Sequence, residues 1–118
     1  MAYVDGFVLA VPKSKLKAYQ RLARAAGKVW REHGALEYRE CVGDDLNIKM
    51  GVPFGKLAKA KPGETVVLSW IVYPSRTVRD RVNKKVMKDP RIVKSMKDPM
   101  PFDVKRMSMG GFKVIVKA

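Results

Sequence analysis

Three short runs, FVLAV at 7–11, VVLSWIV at 66–72 and FKVIV at 112–116, are apolar at odd and even positions alike. A strand sends alternate side chains to opposite faces, so runs like these ask for dry surroundings on both sides. The rest of the chain has only two long segments with a helical rhythm, and two helices cover one face of a sheet. The other face needs a cover from elsewhere, and a second copy of the chain is the simplest supplier. A contact of ordinary size, about 800 Å² per partner and half apolar, contributes on the order of 10 kcal/mol per protomer at about 25 cal/mol per Å², before association costs. A homodimer is therefore expected.

The remaining elements follow from local pattern. AYVDGFVLAV reads as a strand stopped by Pro12. Leu16, Tyr19, Ala23, Ala26, Trp30 and His33 recur at spacings of three and four, with Ser14 as the expected N-cap and Gly34 as a left-handed stop. Leu36, Tyr38, Glu40 and Val42 alternate with Glu37, Arg39 and Cys41 in a half-polar strand. Residues 45–64 form a long connection with a short helical turn near FGKLAKA, a length that often carries a binding loop or an oligomer contact. TVVLSWIVY is a strand. Pro74 and Ser75 open a second helix on Val78, Val82 and Val86, which Asp89-Pro90 ends. A turn-rich segment then leads to a last strand, MSMGGFKVIVK. The order strand, helix, strand, strand, helix, strand predicts an α+β fold, a ferredoxin-like βαββαβ sheet with both helices on one face, as a single domain over 1–118.

Size and charge bound the function. A chain of 118 residues can bury one core unaided. The lone cysteine, Cys41, cannot bridge internally and fits a reducing cytoplasm. No basic region precedes a cleavable apolar stretch, and no apolar run reaches the roughly 18 residues that cross a bilayer. A cytoplasmic protein without a membrane partner is expected. Lys and Arg number 25 against 11 acids, a net charge of +14, but they are distributed along the whole chain without a basic tail. Charge of this kind predicts non-specific adhesion to polyanions rather than a defined RNA or DNA site. If such a surface were engineered, it would also suit a subunit of a larger assembly.

YVDGFVLAVP, EHGAL, ECVGDD, AKPGETVVLSWIVYPS, VRDRVNKKVMKDPR and MPFDVKRM followed by GGF resemble the YbaA-like bacterial family across nearly the whole chain. The resemblance implies the ferredoxin-like fold of the dimeric α/β-barrel superfamily, in which two sheets meet in a homodimeric barrel. It implies no reaction. Members of the family commonly have a tyrosine before the glycine pair, where this chain has Met109. Other relatives in the superfamily are cofactor-independent monooxygenases, heme-degrading enzymes and isomerases that use the space between sheet and helices.

An enzyme of that kind would need polar groups inside an apolar pocket. The candidates are Asp5, within an otherwise apolar strand and needing a cation from Arg39 or Arg106; His33, the only histidine, at a helix end; Tyr73; and Arg106. Trp70, Arg39 and Arg106 are the candidate ligand contacts, Arg106 through its planar fork. Trp70 and Tyr73, three apart on one strand, face opposite sides. No zinc-type ligand spacing or phosphate loop occurs, so no cofactor is expected. MPFDVKRMSMGGF reads as a corner: Pro101 fixes its start, Asp103 caps or pairs with Lys105 or Arg106, methionines fill uneven space, and Gly110-Gly111 allows a bulge or close backbone approach. The leading expectation is a non-catalytic or small-ligand-binding homodimer. A monooxygenase- or isomerase-like enzyme is the first alternative and an RNA or polyanion binder the second.

Overall fold

The computed structural model of the protein covers residues 1–118. Strands β1 (Tyr3–Pro12), β2 (Glu37–Val42), β3 (Glu64–Tyr73) and β4 (Ser108–Lys113) alternate with helices α1 (Leu16–His33), α2 (Phe54–Leu57), α3 (Arg76–Lys88) and α4 (Pro90–Ser95). The strands form one antiparallel sheet in the order β2-β3-β1-β4. Each long crossover skips one strand, which is the ferredoxin-like topology expected.

Register fixes the two faces. Asp5 pairs with Ile71 and Phe7 with Ser69, so the odd positions of β1 and of β3 share the side covered by α1 and α3. There Leu9, Val11 and Val67 pack on Tyr19 and Ala23, while Ile71 and Tyr73 pack on Val29, Val82 and Val86. α1 can approach β2 because its buried face carries Gly27: a Cβ there would lie 2.7 Å from the Tyr38 ring. Gly34 ends α1 at φ +123°, and the Ser75 hydroxyl accepts from Val78 N at 3.2 Å to open α3.

Three boundaries differ from expectation. Ser14 caps nothing: Lys13 N donates to Gly63 O at 2.9 Å, holding the chain to the sheet one residue past β1, so a 3₁₀ turn over Lys13–Lys15 precedes α1. Asp89-Pro90 ends α3 but also starts α4, with the Asp89 carboxylate accepting from Arg91 N at 3.0 Å and Pro90 in the first turn. The last strand stops at Lys113, because its only neighbour, β1, begins at Tyr3. The final bond of that seam is Val114 N to Ala2 O at 3.1 Å, leaving Ile115 and Val116 83% and 79% exposed.

The opposite face carries Val4, Val8, Leu68, Trp70, Val72 and Phe112. The chain covers one end of it: Leu46, Ala58 and Ala60 of the long connection pack on Val8, Ala10 and Val66. The rest stays open, with Leu68 40% and Phe112 62% exposed. No helix is long and apolar enough to cross a membrane.

Candidate functional site: an apolar cavity above Asp5

On the helix side of the sheet, polar residues occupy two adjacent cross-strand rows. Glu40 of β2 pairs with Ser69 of β3 in one; Tyr38 pairs with Ile71, and Ile71 with Asp5, in the next. Above them lies a cavity of about 530 Å³ between the sheet and the helices. Phe7, Leu22, Ala26 and Trp30 line it, together with five of the seven methionines, Met87, Met96, Met100, Met107 and Met109. Unbranched thioether chains adapt their shape, so this wall accommodates different apolar outlines. The corner segment therefore has two roles, since Met100, Phe102, Met107 and Met109 form one side of the cavity.

Asp5 is 8% exposed. Its cation is neither Arg39 nor Arg106, as expected from sequence, but Arg79 of α3, with Nε 3.6 Å from Asp5 Oδ1. That distance balances charge but is too long for a hydrogen bond, so Arg79 does not occupy the lone pairs of the carboxylate. Arg79 is held by Tyr3, donating from Nη2 to its hydroxyl at 3.0 Å with the guanidinium 4.8 Å from the ring centroid. Gly111, opposite Asp5 on β4, makes room: a Cβ there would lie 2.8 Å from Arg79 Nη2. The glycine pair thus serves close approach, and pairing from Ser108 to Lys113 runs without a bulge.

Most of the remaining polar groups are engaged. Tyr19 and Tyr38 donate to the two oxygens of Glu40 at 2.7 Å each, closing the wall toward a second groove of about 440 Å³ between α1 and β2. Burial chiefly, and then Glu40, raises the pKa of both phenols, so both remain donors. Trp30 Nε1 and the Tyr73 hydroxyl both donate to Asn83 Oδ1, at 3.1 and 3.2 Å. Burial and then the charge of Asp5 raise the Tyr73 pKa.

Of the residues singled out in the sequence, the structure brings Asp5 and Tyr73 together at this end of the sheet. His33 lies elsewhere, with Nε2 2.8 Å from Asp89 Oδ2, fastening the end of α1 to the α3–α4 junction. Arg106 makes a fork to Glu64 at 2.7 and 2.8 Å, also bonding Asp103 and the Lys59 carbonyl, so four of its five donors are taken. Arg39 pairs with Glu37 at 2.6 Å on the open face of the sheet. Trp70 touches the cavity wall from within β3, but its alternation with Ser69 and Ile71 turns the indole to that open face, where it donates to Glu37 at 3.1 Å. Sequence reasoning missed Asn83, Arg79 and the tyrosine pair on Glu40. Only Glu40 left a signal, as a carboxylate at an inward position of an alternating strand.

The Arg106 fork has a pH signature. It is the main cause holding the Glu64 carboxyl down at about 2, against about 4.3 in an unfolded chain. A depressed carboxyl pKa adds stability that is complete above the unfolded value and is lost as pH falls toward the folded one. Glu64→Gln should therefore lower the melting temperature at pH 7, and the gap from wild type should close between about pH 5 and 2. A gap constant over that range in thermal melts would show that the fork contributes nothing.

A model of the family described as "Protein of unknown function (DUF1428)" matches residues 2–104. The uncharacterized protein YbaA of Escherichia coli K12 is 47% identical over 116 residues, covering 98% of each chain. A putative antibiotic biosynthesis monooxygenase from Nitrosomonas europaea shares the fold at a TM-score of 0.63 and 10% identity, over 97% of this chain and 90% of that one. A dimeric ferredoxin-like protein from an uncultured marine organism does so at 0.53 and 11% identity, over all of both chains. These two likenesses concern the fold alone; at 47% identity along almost its whole length, and by the family match itself, the chain belongs to the DUF1428 family, alongside YbaA.

Proposed function

We propose that the protein acts in the cytoplasm as a single-domain homodimer that binds a small, mainly apolar ligand carrying one hydrogen-bond donor, with Asp5 as the acceptor. The observation that carries this reading is a nearly buried carboxylate facing a methionine-lined cavity, with its cation 3.6 Å away and its lone pairs free of it. A cavity of about 530 Å³ lies within the usual range for small-molecule sites. The dimer is supported by the open apolar face around Leu68 and by the apolar tail that outruns β1. The marine protein of like fold that is described as dimeric is compatible with it.

Trp30 lines the cavity, so its fluorescence reports filling. Aryl or alkyl alcohols should bind saturably, and their methyl ethers more weakly. Asp5→Asn should cost alcohol affinity about 10- to 100-fold, the worth of a hydrogen bond to a charged group, and leave the ethers unchanged. No saturable binding by either series would end the reading. Catalysis is a second reading of the same cavity, since Asp5 is the carboxylate there that Tyr19 and Tyr38 leave to other partners and could take a proton from the bound donor. Turnover of a bound alcohol by wild type, abolished in Asp5→Asn, would establish it over simple binding.

A further inference from the structure

The positive charge is distributed along the sequence but not over the fold. Residues 16–33 and 76–95, which hold α1, α3 and α4, carry thirteen cations and three acids, a surplus of ten out of the net +14. The helices lie side by side on the same face of the sheet, so this surplus forms one surface. Lys17, Arg21, Arg24, Lys28 and Arg31 recur at alternating spacings of four and three, tracing one exposed stripe along α1. Arg76, Arg81, Lys84, Lys85 and Lys88 crowd the exposed side of α3. Of the thirteen, only Arg79 and Arg91 have an acid within 4 Å; the other eleven have none. The rest of the chain holds twelve cations against eight acids.

Placing eleven unpaired cations on one face costs self-repulsion, which a polyanion relieves. The details of the face choose among polyanions. α1 exposes no large apolar side chain, and on α3 and α4 only Met87 and Val93 are exposed, so the face lacks the apolar ridge that seats a helix in a lipid surface. Its aromatic residues are withdrawn: Tyr19 is buried and Trp30 is bound to Asn83, so no ring is offered for stacking an unpaired base. What remains is a rigid row of point charges. α1 is about 27 Å long, matching roughly eight phosphates of one strand at 3.4 Å per base pair. We propose that the outer surface of α1, α3 and α4 docks on the phosphate backbone of double-stranded nucleic acid, without reading its sequence. This docking does not depend on the ligand of the cavity.

The test separates placement of charge from its amount. Arg21→Glu/Arg24→Glu/Lys28→Glu removes charge from the face, and Lys13→Glu/Lys61→Glu/Lys105→Glu removes the same amount away from it; all six positions are exposed. Binding is read by anisotropy of a labelled duplex of about 20 base pairs from about 50 to 200 mM salt. The α1 variant should lose at least about 100-fold and the second variant less than about fivefold. The slope of log affinity against log salt should fall by about 2.7 in the α1 variant, for three phosphate contacts. Lys84→Glu/Lys85→Glu/Lys88→Glu should repeat the loss from α3, covering the case in which the α1 variant does not fold. Equal losses from both sets, no duplex binding at about 50 mM salt, or tighter binding to phosphatidylserine vesicles than to duplex would each overturn the proposal.

Discussion

Leu68→Lys should convert the protein from a dimer to a monomer at about 0.1 μM. Leu68 lies on the open side of the central strand β3, between Val8 of β1 and Cys41 of β2, and is 40% exposed in the protomer. Because that side chain already meets water, a lysine there can reach solvent, and the protomer should stay folded, melting below wild type only by the stabilisation that association supplied. In a dimer closed over this face, the ammonium would have to leave water among Val4, Val8, Val72 and Phe112, where the nearest face-sharing acid, Glu37, is already bonded to Arg39 and Trp70. An unpaired charge in such a place costs several kcal/mol. A loss of about 4 kcal/mol raises the dissociation constant about 1,000-fold, enough to move a nanomolar dimer to the micromolar range. Fluorescence-detected sedimentation at about 0.1 μM, below the shifted dissociation constant, should show close to half the wild-type mass. Persistence of the dimer in Leu68→Lys would place the interface elsewhere, and a wild-type protein already monomeric at that dilution would remove the sheet face from consideration.

That this face is apolar and left open by the helices was legible from strand periodicity, because alternation is a local property and both parities of β1 and β3 are apolar. Gly34 and Ser75 were legible for the same reason, since a helix stop or start is set by one residue and its immediate neighbours. Local reasoning failed where one residue serves two segments: Asp89 closes α3 and caps α4, and only the first role shows in an Asp-Pro pair. It failed at the C-terminus because the end of β4 is set by where β1 begins, more than a hundred positions away. The cavity was hidden for a like reason. Asp5 found Arg79 rather than Arg39 or Arg106 because α3 passes over the β1 end that carries it, while Glu64 and Asp103 had already engaged Arg106. Met87, Met96, Met100, Met107 and Met109 come from four successive segments, and no single one of them carries a pattern that marks a wall.

Ser69→Leu, one residue along from Leu68 and facing the other way, should stabilise the protein while removing its ligand. Ser69 is nearly buried at the floor of the cavity, in the row of Glu40 and Phe7. The leucine adds roughly three carbon-sized groups to a space with room for them, at about 0.8 kcal/mol for each buried methylene. A gain of about 1 to 2 kcal/mol follows once side-chain ordering is subtracted, or about 4 to 8 °C in melting temperature for a domain of this size. The new side chain stands where the apolar body of the ligand would lie, so alcohol affinity should fall at least tenfold, and here the methyl ethers should weaken equally. That equality separates Ser69→Leu from Asp5→Asn, which acts on the donor contact alone. Dimer mass should not change, because the substitution leaves the Leu68 face as it was. A drop in melting temperature of several degrees would instead reveal a packed interior forced apart, the usual cost of about 1 to 3 kcal/mol for an overfilled core. With no space above Asp5, the ligand reading would lose its site, while the dimer, resting on the other parity of the same strand, would stand or fall by Leu68→Lys.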